Sequence, residues 1–245
     1  QSYLELSFSI STEFGAKSGT IGGGRITTLR KLTDKEYAEY KNNLQILIDF
    51  SEKQQLFIIA RLNYEEFKNA INKYLVEFKR NPSINWVHIE RMAMDTNRLL
   101  LNFLSVFRTF LDHTEYTLKK NYGNESDIFK RFKNLCSEQY DQYFSYRFLY
   151  KLRNYSQHCG MPVGSIKIIS QVINKESGEV QDYLAVFFDR DKLLNKYDLW
   201  GPIKDEIKDL PSKIEVTHFV DEVMECISRI NLLVIEHDLE NIFLS

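Results

Sequence analysis

The chain predicts an α+β protein that is mainly α. Its long helices form a bundle, and a small antiparallel β-sheet accompanies them. Three observations carry this. Helix-start signatures open long stretches of 3.6-residue periodicity between Thr33 and His158. The run Leu99 to Leu111 is apolar on nearly every side, as a central core helix requires. After Pro162 the period changes to two, as in a β-hairpin. There is no internal repeat, low-complexity tract or linker. The expectation is therefore one compact domain over residues 1–245. Its helical core spans about 84–164, flanked by strands and helices over 1–83 and by a hairpin and a last helix over 165–245.

Tyr3 to Ile10 alternates, with Leu4, Leu6, Phe8 and Ile10 on one side, and reads as a half-buried strand. Thr12 to Gly24 is loop-like and ends in three glycines. No GK[ST] follows them, so the run reads as a turn and not a phosphate cradle. A short strand is expected over Arg25 to Leu32. Thr33 with Glu36 makes a capping box, opening a helix to about Leu62. Asn63 with Glu66 repeats the signature for a second helix to about Lys79. Asn81-Pro82-Ser83 breaks it. The first arm of a long-helix hairpin follows, Ile84 to about Tyr122. Gly123-Asn124 is the turn, and the second arm, capped by Ser126 or Asn124, runs to about His158. Ser165–Asn174 and Glu179–Phe188 form the hairpin, which could join the N-terminal strands in one sheet. Pro202 and Pro211 punctuate an irregular connection. Val216 to Ile242 is an amphipathic helix with Phe219, Val223, Cys226, Ile227, Ile230 and Val234 on one face.

The bulk numbers exclude several classes. A 245-residue chain with 43% hydrophobic and 27% charged residues is ordinary for a globular protein with a real core. The net charge of −2 supplies no global field for nucleic acid, so binding would need a local basic patch. Three widely spaced cysteines suit a reducing compartment, and no basic–apolar–small leader pattern opens the chain. The expected location is the cytoplasm. The Leu99–Leu111 run is too short, and Arg108 too costly, for a membrane span.

The chemistry concentrates in Tyr146 to Gly164. Arg147, Lys151, Asn154 and His158 lie at steps of four, three and four, on one helix face. Tyr146, Tyr150, Arg153 and Gln157 form the adjacent stripe. Cations beside aromatic planes suit single-stranded nucleic acid, phosphates on the first and bases on the second. A tyrosine-rich helix packed on a core with a solvated basic edge would give the same pattern.

Arg153-Asn154-x-x-x-His158, near the end of a long helix, resembles the R-x4–6-H motif of the HEPN superfamily, in which a polar residue commonly follows the arginine. The resemblance covers roughly Ile84 to Gly164. Arg108 and His113 also satisfy R-x4-H, but without the polar residue and in mid-helix, and are read as coincidence. The resemblance implies a compact helical bundle, commonly dimeric, and a metal-independent endoribonuclease of a toxin–antitoxin or phage-defence system. Some family members have lost the motif and only bind, so the alternative is a non-catalytic HEPN-like binding module or scaffold subunit for a partner protein, nucleotide or nucleic acid. RNA supplies its own nucleophile, the ribose 2′-hydroxyl. On this reading His158 acts as general base or acid, since imidazole titrates near neutrality. Arg153 holds the scissile phosphate and the charge that develops on it. Asn154 orients the imidazole or the phosphate, and Arg147, Lys151 and Tyr150 contact the substrate. The expected partners are RNA, a second copy of the chain, and an antitoxin or defence-system protein. No cofactor is expected.

Antiparallel arms turning at Gly123 would set residue 158 opposite about 88 and residue 153 opposite about 93. Asp95 and Glu90, with His88 and Arg91 nearby, thus become candidates to support Arg153 or His158. Metal binding looks poor: the histidines have no HExxH pattern and the cysteines no zinc spacing. Cys159 adjoins His158, but adjacent helical residues point about 100° apart, which argues against a Cys–His pair.

Overall fold

The structure is a computed structural model that describes residue 30 and residues 32–81 and 85–244. The expected strand Tyr3–Ile10 lies outside the described residues. So does Arg25–Leu32, apart from Arg30 and Leu32, and with them any sheet built on those strands. Two compact units divide within the first helix, between Glu52 and Lys53. Among the described residues the protein is mainly helical, with a small antiparallel sheet.

In the first unit, α1 (Asp34–Arg80) begins at the expected capping box. The Glu36 amide donates to Thr33 Oγ1 at 3.2 Å, and the Thr33 amide donates to the Glu36 carboxylate at 2.8 Å. Arg30 makes two further bonds to that carboxylate, at 2.9 and 2.7 Å. Together the Arg30 and Thr33 bonds hold the Glu36 carboxyl down at about 2.

In the sequence α1 looks like two helices, but it is a single helix of 47 residues. Asn63 caps nothing. Its side chain turns back and donates to the Ile59 carbonyl four residues earlier, at 2.9 Å. No glycine or proline stands between Thr33 and Arg80 to stop the helix. Beyond Lys53, α1 lays Ala60, Phe67 and Ile71 into the core.

The central element is α2 (Trp86–Tyr122), capped by Asn85, whose side chain accepts from the His88 amide. It ends at Gly123, whose φ of 84° favours glycine. Its apolar centre is buried as expected, with Leu100, Phe103, Leu104 and Phe107 fully enclosed. Polar residues in this stretch are satisfied locally: Thr109 bonds the Ser105 carbonyl, and Arg108 bonds Asp112 at 2.8 Å.

The second arm is broken, against expectation. It forms α3 (Asp127–Gln142), capped by Ser126, and α4 (Phe144–His158), joined at Tyr143 in an extended conformation. Neither glycine nor proline marks the joint. Arg147 explains it. Its Nη1 donates to the carbonyls of Tyr140 and Asp141 at 2.7 and 2.9 Å, satisfying acceptors that the end of α3 leaves open. Its Nη2 reaches Glu206 at 2.6 Å.

The hairpin forms as expected from β1 (Val163–Asn174) and β2 (Glu179–Asp189), with Lys167 opposite Ala185. The third strand comes from the irregular connection: β3 (Lys213–Glu215) pairs antiparallel with β2. Before it come two short helices, α5 (Arg190–Lys196) and α6 (Ile203–Asp209). Between them Trp200 is fully buried, stacked on Tyr155 with ring centres 6.0 Å apart. The last helix, α7 (Thr217–Leu244), buries Phe219, Val223, Cys226, Ile227 and Ile230, all on the expected face.

One polar tie joins the hairpin to α2. Asn97 is buried and accepts from the Val163 amide at 3.0 Å, while its own amide donates to the Ala93 carbonyl. Replacing Asn97 with Leu leaves that backbone donor buried without a partner. Urea denaturation is expected to show a loss of about 1–3 kcal/mol for Asn97→Leu.

Candidate functional site

The site residues sit on the exposed arc and edges of α4. Phe148, Leu149, Leu152 and Tyr155 are each fully buried and fix how the helix lies. Tyr146, expected on the aromatic stripe, is also buried. Its ring meets Phe107 edge-on at 5.2 Å, and burial pushes its hydroxyl pKa up. It is a core residue and offers no stacking surface.

Arg147, expected as a substrate contact, is committed to the α3–α4 joint and to Glu206, with a side chain only 15% exposed. Tyr150 is half-buried, and the Arg108 guanidinium lies over its ring at 4.3 Å. Lys151 meets no carboxylate among the described residues. It lines a cavity of about 370 Å3 with Tyr150, Arg108, Lys133 and the acids Asp112, Glu115 and Asp141. Cys136 borders this cavity too, but burial pushes its thiol up to about 12, far from a nucleophile's range.

The motif residues lie further along. Arg153 is half-buried and donates from Nη1 to the Gln157 side-chain carbonyl at 2.6 Å. Its Nε is enclosed and makes no hydrogen bond among the described residues. Helical side chains ordinarily lean toward the N-terminus. The bond to Gln157 instead draws this guanidinium toward the C-terminal end of α4, where His158 is exposed as the last helical residue. Asn154, half-buried, lies between them on the helix surface. Arg153 and His158 are about 140° apart around the axis, so they flank one exposed face and do not share a stripe. Neither meets a carboxylate among the described residues. Arg108, Arg147, Arg190 and Arg229 each do.

The supporting groups expected from α2 lie elsewhere. Lys133 pairs with Glu115 at 2.9 Å, so α3 follows the register predicted by a turn at Gly123. α4 does not: Tyr150 meets Arg108, and Val163 meets Asn97, where equal spacing from Gly123 would set residue 150 against about 96. The bend at Tyr143 uses up sequence without advancing along α2. Asp95 therefore binds the Tyr74 hydroxyl and Arg98 Nε, and Glu90 is exposed with no partner among the described residues. His88, Arg91 and Asp95 instead line a second cavity, with Lys73, Tyr74 and Arg98. Nothing in the sequence pointed to Lys73 and Tyr74 there, since it could not show that the helix continues unbroken past Asn63.

Among the described residues no three His, Cys, Asp or Glu side chains gather as a metal-ligand set, and no helix is long and apolar enough to cross a membrane. Comparison of the chain with family models, with curated proteins and with solved structures finds no match.

If Arg147 is architectural and Lys151 is not, their alanine variants separate. Arg147→Ala is expected to cost about 2–3 kcal/mol in chemical denaturation, the range for lost hydrogen bonds to a charged donor. Lys151→Ala should stay within about 0.5 kcal/mol of wild type.

Proposed function

We propose that this chain is a HEPN-like, metal-independent endoribonuclease, with Arg153, Asn154 and His158 at its working centre. The observation that supports this reading is Arg153. A permanently charged, half-buried guanidinium has a neutral amide for its partner and is drawn toward a helix end that carries an exposed imidazole. A cation in that position lacks an anion, and a phosphodiester supplies one.

The chemistry is an internal displacement. His158 takes the proton of the ribose 2′-hydroxyl, and the 2′-oxygen attacks the adjacent phosphorus. The bond from phosphorus to the 5′-oxygen breaks, and that oxygen gains a proton from an imidazolium. The products are a 2′,3′-cyclic phosphate and a 5′-hydroxyl. Arg153 stabilises charge on the phosphate oxygens, and Asn154 orients the phosphate or the imidazole. Because Arg153 and His158 flank one face, two copies of α4 facing each other in a homodimer would surround the scissile phosphate with both pairs. Lys151, beside the cavity under Tyr150, would hold the flanking backbone. The setting is a cytoplasmic toxin or phage-defence protein, controlled by an antitoxin or defence-system partner.

A second reading, a non-catalytic HEPN-like module that binds RNA or a partner through the same face, draws on the 140° separation, which a single chain does not close.

The test is cleavage of total RNA in excess chelator. Wild type is expected to cut and to leave 2′,3′-cyclic phosphate ends, and a substrate with 2′-deoxyribose at the cut site should resist. His158→Ala should lose about 10²–10⁴-fold in rate with its circular dichroism unchanged. Arg153→Ala should fall comparably, and Arg153→Lys should recover only part, because the bidentate geometry is gone. RNA binding without cutting by the wild type would leave the second reading in place.

A further inference from the structure

A cavity of about 530 Å3 opens between the C-terminal part of α1 and the N-terminal part of α2, on residues that RNA cleavage does not use. Its floor is Tyr74 and Met92, both nearly enclosed. Its rim carries three permanent cations, Lys73, Arg91 and Arg98, and one imidazole, His88. Two carboxylates oppose them, and both are already engaged. Asp95 accepts from Tyr74 and from Arg98. Glu77 lies 3.8 Å from Lys73 and 3.4 Å from His88.

That leaves Arg91 on the rim with no carboxylate among the described residues. His88 stands beside it, with its Nε2 closed off from solvent and facing Glu77 at 3.4 Å without a hydrogen bond. The first turn of α2, which holds His88, has no acidic residue, although negative charge is favoured at a helix start. An excess of cation and a helix start without its own anion converge on one hollow. The volume is within the range of small-ligand sites.

We propose that this cavity binds a phosphomonoester no larger than a mononucleotide. Arg91 grips the phosphate through paired N–H donors. The body of the ligand lies against Tyr74 and Met92. A single free phosphate group offers the pair of oxygens that one unpaired guanidinium binds.

Isothermal titration of the full chain tests this with ribose 5-phosphate and AMP, against ribose and adenosine. Both phosphorylated compounds are expected to bind, and neither unphosphorylated one. Arg91→Ala should weaken binding by about 10-fold or more, and Arg91→Lys by less. Arg91 is exposed, so both variants should keep the wild-type circular dichroism. AMP binding without ribose 5-phosphate binding would overturn the phosphate as the recognised group. So would adenosine binding as well as AMP, unchanged affinity in Arg91→Ala, or the absence of heat with either phosphorylated compound at millimolar concentration. No RNA is present in this titration, so this site and the cleavage reading can fail separately.

Discussion

Everything downstream of residue 143 depends on where one guanidinium goes. A helix end leaves its last carbonyls without intrahelical donors. At the end of α3 those carbonyls are met by Arg147, which belongs to the first turn of the next helix. The bond network holds the joint bent, and Glu206 carries the counter-charge from α6. A cation this enclosed is costly unless paired and hydrogen-bonded. Here it is both, so the bend is held by a group with little freedom to leave.

The bend decides which side of α4 is buried. Phe148, Leu152 and Tyr155 turn into an aromatic core shared with Phe188, Tyr197, Trp200 and Phe219. That core is assembled from the sheet, the α5–α6 connection and α7, elements far apart in the chain. Tyr155 lies between Arg153 and Gln157 in sequence and is fully buried, so the turn bearing the motif stands on packed ground. Side chains on such a platform are held more precisely than on a loop.

Charge in this protein is local. A net charge of −2 gives no long-range attraction for an anion, yet Arg153 at the end of α4 and Arg91 at the hollow between α1 and α2, like Arg80 at the end of α1, meet no carboxylate among the described residues. At the end of α4 and at the hollow, the exception stands out because most neighbouring cations are paired. Arg108 has Asp112, Arg98 has Asp95 and Lys133 has Glu115. Arg153, half-buried, has a stronger claim on an external anion than a basic stripe in open water, where solvent and salt screen it, while the exposed Arg91 depends on the hollow beside it.

Local signals were enough for much of the fold. Thr33 and Glu36 announced a capping box, Asn81 and Pro82 an end, and the Ser165–Phe188 hairpin its alternation, because each depends on neighbours a few residues away. The buried face of α7 was equally plain from its period. The joint at Tyr143 was not. Its cause is a hydrogen bond from Arg147 back to α3 and an ion pair to α6, and the local sequence reads as uninterrupted helix. The unbroken α1 was hidden for the opposite reason: Asn63 looks like a cap until its side chain is seen bonded to Ile59. By itself, then, the chain determined the long helices, the hairpin and which residue types stood at the end of α4, since periodicity and capping are local physics, while α5, α6 and β3 carried no such signal. Only the tertiary structure decided that Arg147 is architectural, that Asp95 serves Tyr74 and Arg98, and that Arg91 borders a hollow. Those outcomes turn on the register between distant helices, and a single bend shifts that register.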